Sequence, residues 1–292
     1  MIFDTLAQAI GQKKNPTCVG LDTQKTHVPE EIAQRYDMHT QAGAADAIVA
    51  YNAALIEALR GIVPAVKVQV AYYETLGVPG MQAFVKTLQM AKQAGLITIA
   101  DCKRNDIAST AGAYAAAYLA DNAPMETDIL TINPYVGEDG VLPFLQANSE
   151  KAVFALVKTS NPSSVDVQDL RLADGRTVFE AVGDLVEAWG QANIGSRGYS
   201  NCGAVVGATH PTQGALLRKR MPHTFFLLPG YGAQGASAKD IVGMFDEKGG
   251  GAIVNNSRGI LTAWQKTDKP AVEAAVEAAQ RMQEDLAAHL PL

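Results

Sequence analysis

Cysteine is scarce in this chain: three in 292 residues, Cys18, Cys102 and Cys202, with no CxxC pair. An odd, widely spaced set argues against a disulfide framework or a zinc knuckle and points to a reducing compartment, the cytoplasm. Basic charge is also in deficit. Lys and Arg total 24 against 30 Asp and Glu, a formal charge of −6 with a pI near 5.4. A general nucleic-acid or anionic-membrane binder needs the opposite excess, although a local basic pocket for a small anion stays open. No run approaches the ~18 uninterrupted apolar residues of a membrane helix. The opening MIFDTLAQAIGQKKN carries Asp4 early and no basic stretch ahead of an apolar one, so it does not read as a signal peptide. His27, His39, His210, His223 and His289 show no HExxH or paired spacing, and no GxSxG is present. No metal site and no serine-hydrolase constellation is therefore expected.

What the chain does have is apolar residues, 48% against 18% charged, enough for a sizeable core. Short β-branched runs recur at TCVGL (17–21), AVKVQV (65–70), LITIAD (96–101), ILTIN (129–133), AVFALV (152–157), GAVVGA (203–208), TFFLLP (224–229) and GAIVNN (251–256). Helix-period stretches separate them. Ile48, Leu55, Ile56 and Leu59 form one stripe; Phe84, Leu88 and Ala91 form another; Phe179, Val182, Leu185, Val186 and Trp189 form a third. The Ala- and Glu-rich tail after Pro270 reads as a closing helix with the proline in its first turn. Strand–helix alternation repeated eight times, with strands apolar on both faces, predicts parallel pairing under a helical cover. The expectation is an α/β fold, a (β/α)₈ TIM barrel, with an open doubly wound sheet as competitor. No linker breaks the chain, so one catalytic domain over 1–292 is expected. The polar stretch 161–201 reads as an enlarged surface excursion after strand five containing one helix.

In such barrels chemistry sits at the carboxyl ends of the strands. After strand three the sequence runs Asp101-Cys102-Lys103-Arg104-Asn105-Asp106-Ile107. Strand alternation points Asp101 and Lys103 the same way and Cys102 the other. On strand two, Lys67 and Gln69 share a parity opposite to Val66, Val68 and Val70. A lysine inside an apolar strand is costly unless paired. A plain buried ion pair supporting the barrel is one reading; two lysines and two aspartates on neighbouring strand ends favour a reaction centre. Opposite charges about 4 Å apart at an effective dielectric near 20 attract by about 4 kcal/mol, so an alternating row keeps every member ionised. It holds an ammonium where negative charge develops, which suits stabilising and then protonating a carbanion.

DxKxxDI after strand three, with a lysine upstream on strand two, resembles the orotidine 5'-monophosphate decarboxylase family. The long polar insert and the NPY at 133–135 are similar to its larger bacterial and protozoal branch. The resemblance runs from Gly20 to Arg258. It implies cofactor-independent decarboxylation of orotidine 5'-monophosphate to UMP and CO2 in de novo pyrimidine synthesis. Lys67, Asp101, Lys103 and Asp106 match the family's charged tetrad, with Lys103 implied as proton donor to C6 and Asp101 set against the substrate carboxylate. Asp106 and Thr110 are implied to reach into a neighbouring subunit's site, making a homodimer with shared active sites. Asp22, in GLD, matches a ribose-binding aspartate; a helix N-cap is its plainer reading. Ser160 matches the residue that reads the pyrimidine's amide edge, with Thr159 nearly interchangeable by register and an Asn-Pro turn as the plain alternative. The role of Gln69 stays open.

The run Gly230-Tyr231-Gly232-Ala233-Gln234-Gly235 is a literal GxGxxG. A dinucleotide fold opens with this turn and continues through several strands, whereas here one strand follows. Phosphate held at the loops after strands seven and eight is the reading that suits a barrel. Arg258 forks onto two oxygens and Gln234 donates from the other loop, both matching the family's phosphate ligands; an exposed arginine in a surface ion pair is the alternative for Arg258. Two rivals follow. Sister barrels use Mg²⁺ on an acidic ligand at the end of strand two, where this chain has Lys67; a non-catalytic phosphate-binding barrel would have no turnover to lose with Lys103.

Overall fold

Eight parallel strands close on themselves in the order β1-β2-β3-β4-β5-β6-β7-β8 in the computed structural model, which describes residues 1–232 and 235–291. They are β1 Thr17–Leu21, β2 Ala65–Gln69, β3 Ile97–Arg104, β4 Ile129–Ile132, β5 Ala152–Lys158, β6 Cys202–Val206, β7 Phe226–Pro229 and β8 Ala252–Asn256. Pairing of β1 with β8, Cys18 opposite Asn255, shuts the barrel and rules out the open doubly wound sheet.

Strand alternation sorts side chains into two layers. Val66, Val68, Ala100, Leu130, Val153, Val206 and Val254 pack outward against the helices. Ala65, Ile97, Ile99, Ile129, Phe154, Val205 and Ile253 point inward. Helix Ile2–Lys13 closes the bottom of the barrel: Phe3 stacks on Phe225 at 4.9 Å and meets Phe154 at 5.2 Å. With that end filled by aromatic rings, the inward positions one or two residues further along each strand meet the open end.

The outer layer follows the predicted stripes. Helix Gln41–Leu59 buries Ile48, Leu55, Ile56 and Leu59, and its buried Asn52 donates to the Tyr73 hydroxyl at 2.8 Å. By length and composition this helix is apolar enough to cross a membrane, yet over half of it is buried against the rest of the chain. Helix Gly77–Gln93 buries Phe84, Leu88 and Ala91. Helix Ala271–Ala287 begins just after Pro270, which precedes the first turn instead of occupying it.

Two expectations are corrected. In helix Val178–Gly190, Phe179, Val186 and Trp189 are buried but Leu185 is 48% exposed, because it lies at the edge of the stripe. That helix packs on β5 and β6 as the barrel's own fifth cover. The true additions are residues 161–177, with a second, four-residue helix Val165–Gln168, and residues 191–201.

Candidate active site

Asp101 is the hub of the open end. It ends the regular part of β3 with its side chain inward, and both carboxylate oxygens are fully used. Oδ2 accepts from Lys67 Nζ at 2.7 Å and Gln69 Nε2 at 2.9 Å. Oδ1 accepts from Lys103 Nζ at 2.7 Å and the Thr131 hydroxyl at 2.9 Å. Lys67, only 4% exposed, also donates to Asp22 Oδ1 at 3.2 Å. The result is a continuous row, Asp22–Lys67–Asp101–Lys103, running across the ends of β1, β2 and β3. Asp22 is thus bound to a lysine, and the N-cap alternative fails: the turn Lys25–His27 is capped by Gln24.

Burial by itself would raise the Asp101 pKa, but Lys67 and Lys103 outweigh it and hold the carboxyl well below the usual carboxylate range. Burial would likewise strip the proton from Lys67; the charges of Asp101 and Asp22 reverse that and push its pKa up. Both groups therefore stay charged at neutral pH. Lys103 differs in access. Its side chain is 46% exposed, so its ammonium is fixed at one end by Asp101 while open to the cavity.

The strand does not deliver Lys103 by simple alternation. Its φ is +48°, in the left-handed region a side chain seldom adopts, and the β3–β4 register shifts between Ala100 and Arg104. Thr131 on β4 holds this bulge. Its hydroxyl accepts from the N–H groups of Cys102 and Lys103, at 2.9 and 3.0 Å, while donating to Asp101. One donor and two acceptors are all a hydroxyl has. Cys102 turns outward and packs against the helical layer, as expected.

Asp106 does not join the row. It sits on the loop beyond, where its Oδ1 accepts from the Ile107 N–H at 2.8 Å. Thr110 is exposed on helix Ala108–Tyr118. Within one chain the fourth charged member is Asp22, not Asp106.

A cavity of about 610 Å³ opens over the row. Its lining includes Lys67, Asp101, Lys103 and Thr131 of the row and its neighbour strand, Thr159, Ser160 and Asn161 after β5, and Gly230, Tyr231, Ser257 and Arg258 after β7 and β8. Arg258 begins the short helix Arg258–Leu261 and makes no salt bridge among the described residues, so the surface ion pair is not its role here. Gly230 and Gly232 both have positive φ, and the Tyr231 hydroxyl donates to Asp285. Gln234 lies outside the described residues. Thr159 and Ser160 also separate: the Thr159 hydroxyl donates to Asn161 Oδ1 at 2.7 Å and accepts from Gln168 Nε2 at 2.8 Å, while the Ser160 hydroxyl has no partner among the described residues.

Thr131 carries no motif of its own, although the Ile129/Thr131 parity marks it as inward. His27, which has no paired spacing in the sequence, is a cavity-lining ring whose Nδ1 accepts from the Gln24 N–H. Burial lowers the His27 pKa, which favours the neutral form. Among the described residues no three of His, Cys, Asp or Glu are grouped to hold a metal ion.

The sequence model of the "Orotidine 5'-phosphate decarboxylase / HUMPS family" matches residues 15–281. Two curated relatives carry the name orotidine 5'-phosphate decarboxylase. That of Clostridium novyi is 42% identical over 269 residues, 91% of this chain and 90% of the relative. That of Rhodopirellula baltica is 42% identical over 275 residues, covering 92% and 91%. The solved structure of Leishmania donovani OMP decarboxylase superposes with a TM-score of 0.79 at 33% identity, covering 98% of this chain and 97% of that one.

Proposed function

Since the chain belongs to the orotidine 5'-phosphate decarboxylase / HUMPS family, we propose that its charged row carries out the decarboxylation of orotidine 5'-monophosphate. It is a carboxy-lyase of pyrimidine biosynthesis. The observation that carries the reading of the site is the row itself, with Lys103 as its one half-exposed cation over the cavity.

The bond from C6 to the carboxylate breaks, its electron pair stays on C6 and CO2 departs. Lys103 faces that negative charge as an ammonium and delivers its proton to C6, giving UMP; solvent reprotonates the amine. Asp101, ionised and saturated with donors, holds Lys103 in place and lies against the substrate carboxylate. Whether that proximity destabilises the ground state or merely fixes the charge pattern, the rate depends on an electrostatic frame built before substrate arrives. Lys67 locks Asp101 and Asp22, and Asp22 takes the ribose hydroxyls. Ser160, whose hydroxyl has no partner among the described residues, reads the pyrimidine edge in preference to Thr159. Arg258, together with Gln234, holds the phosphate remote from the broken bond and contributes to orientation and closure.

Asp106 and Thr110, which make no hydrogen bond to the row of their own chain among the described residues, complete the site of a second copy in a homodimer. The reading includes one catalytic domain over 1–292, no cofactor, no nucleic-acid or membrane partner, and a cytoplasmic location that suits three unpaired cysteines, two of them buried. Lys67 also argues against the Mg²⁺-dependent sister chemistry, since its ammonium occupies the strand-two end where an acidic ligand is required. The test is to incubate the purified protein with orotidine 5'-monophosphate after exhaustive EDTA treatment. Orotate absorbance should fall in step with CO2 release. Loss of turnover that Mg²⁺ restores would favour the sister chemistry.

A further inference from the structure

The excursion after β5 has a definite mechanical relation to the wall that reads the base. We infer that Gln168 is a positioning residue for pyrimidine recognition, backed by the Lys158–Asp169 pair, and that the added segment 161–177 exists to hold the backbone at 159–160. This rests on the decarboxylase reading above and assigns the part of that site that discriminates the base.

Among the described residues, every polar group of Thr159 and Ser160 except the Ser160 hydroxyl and N–H is tied down. Gln168 grips Thr159 twice: its Oε1 accepts from the Thr159 N–H at 2.9 Å and its Nε2 donates to the Thr159 hydroxyl at 2.8 Å. From the opposite side, His210 Nε2 donates to the Thr159 carbonyl at 3.0 Å and the Thr209 hydroxyl donates to the Ser160 carbonyl at 3.2 Å. The Gly207 N–H donates to the Lys158 carbonyl at 2.7 Å. Gly207 also lets the two segments touch, because a Cβ there would lie 2.8 Å from Ser160 Cα and 2.9 Å from its nitrogen. The Ser160 hydroxyl and N–H have no partner among the described residues, and the residue lines the cavity.

Lys158 explains why the added segment stays put. It is fully buried, with its Nζ 2.8 Å from Asp169 Oδ1 and 3.1 Å from the Ser164 hydroxyl, over the Phe179 ring. Asp169 is its one carboxylate partner among the described residues, and both anchors belong to the added segment. A buried ammonium without a counter-charge is strongly unfavourable, so the segment cannot lift without exposing or stranding that charge. Gln168 is the residue next to Asp169. The ion pair therefore fixes where the amide of Gln168 starts, and the amide fixes Thr159 and Ser160. Gln168 and Asp169 make no hydrogen bond to Gly230, Tyr231 or Arg258 among the described residues.

The experiment separates base from phosphate. UMP carries the pyrimidine and ribose 5-phosphate lacks it, so the dissociation constants of both are measured by calorimetry for the parent, Gln168→Ala and Gln168→Glu, alongside turnover of orotidine 5'-monophosphate. Gln168→Ala should weaken UMP about ten-fold, near the contribution of one well-made hydrogen bond. Ribose 5-phosphate affinity should stay within about two-fold of the parent. Gln168→Glu keeps an acceptor for the Thr159 N–H and should recover most of the UMP affinity. Equal weakening of both ligands, or no weakening of UMP, overturns the inference. If Gln168→Ala does not fold, Gln168→Met, which keeps the side chain's length without its amide, carries the same comparison. A parent that releases no CO2 from orotidine 5'-monophosphate overturns the decarboxylase reading and this inference with it; an active parent without the split overturns this inference alone.

Discussion

Asp101 carries four hydrogen bonds on two oxygens, two of them from ammonium groups, and the consequences are separable by substitution. Its folded pKa lies below the unfolded value of about 3.9. The stability it contributes is therefore present above that value and lost as pH falls through the folded one. Asp101→Asn strands Lys67 against Asp22 alone and should cost about 3–5 kcal/mol at pH 7. Urea melts of parent and variant should converge as pH drops below about 4; a gap that stays constant down to pH 3 would show that the charge of Asp101 is not what stabilises the fold. Lys103 tests the chemistry instead. Lys103→Ala should lower kcat by about 10³-fold or more, while UMP affinity measured by calorimetry changes little, because the phosphate and base contacts lie elsewhere. Near-normal turnover would remove Lys103 as the acid. Both residues were readable from the spacing DxK and from the cost of burying Lys67. Asp22 as the fourth charge of the row was not, because only the folded chain shows which of two plausible roles an aspartate on a β1 loop takes.

The strands themselves show what periodicity captures and what it omits. All eight fall within a few residues of the apolar runs, since a parallel strand buried on both faces leaves an unmistakable apolar signature. The exception is the far end of β3. The apolar run ends at Asp101, but the strand continues to Arg104, which pairs with Ile132 after the register shift. No local preference marks that bulge, because its support comes from Thr131 on the neighbouring strand. The same non-local origin gives a clean test. Thr131→Val keeps the shape but leaves the N–H groups of Cys102 and Lys103 without their acceptor and takes one donor from Asp101. The expected loss is about 2–4 kcal/mol in a denaturant melt. A drop in kcat should exceed any rise in KM, since Lys103 loses the geometry that aims it. Thr131→Ser retains the hydroxyl and should restore both. If Thr131→Val matches the parent in stability and kcat, the left-handed turn at Lys103 is held by something else. The excursion after β5 was overestimated for a related reason: its main helix packs on β5 and β6, and an amphipathic stripe alone cannot say whether a helix belongs to the barrel or decorates it.

At the scale of the whole molecule, the proposed homodimer turns on Asp106, which lies on the loop beyond β3. Asp106 takes no part in the Asp22–Lys67–Asp101–Lys103 row, and the chain exposes apolar side chains both beside it and on helix Gly77–Gln93. Ile107 is 52% exposed and Tyr135 84%, with Val136 beside them where the β4 loop meets the Asp106 carbonyl across Gly140. Val78 on helix Gly77–Gln93 is 72% exposed, with Met81 and Val85 along the same groove. The homodimer proposed above would cover exposed apolar surface of this kind. That arrangement makes a quantitative prediction which no property of a single barrel mimics. Lys103→Ala and Asp106→Ala should each be nearly inactive alone. In a refolded equimolar mixture, half the dimers are mixed, and each mixed dimer has one site with an intact lysine from one chain and an intact aspartate from the other. Turnover should return to about a quarter of the parent rate at saturating substrate. It should fall again on dilution below the dimer dissociation constant. A mixture no more active than its components would place Asp106 in the service of its own chain, and the loop would then have to swing inward on substrate binding to reach the row it now avoids.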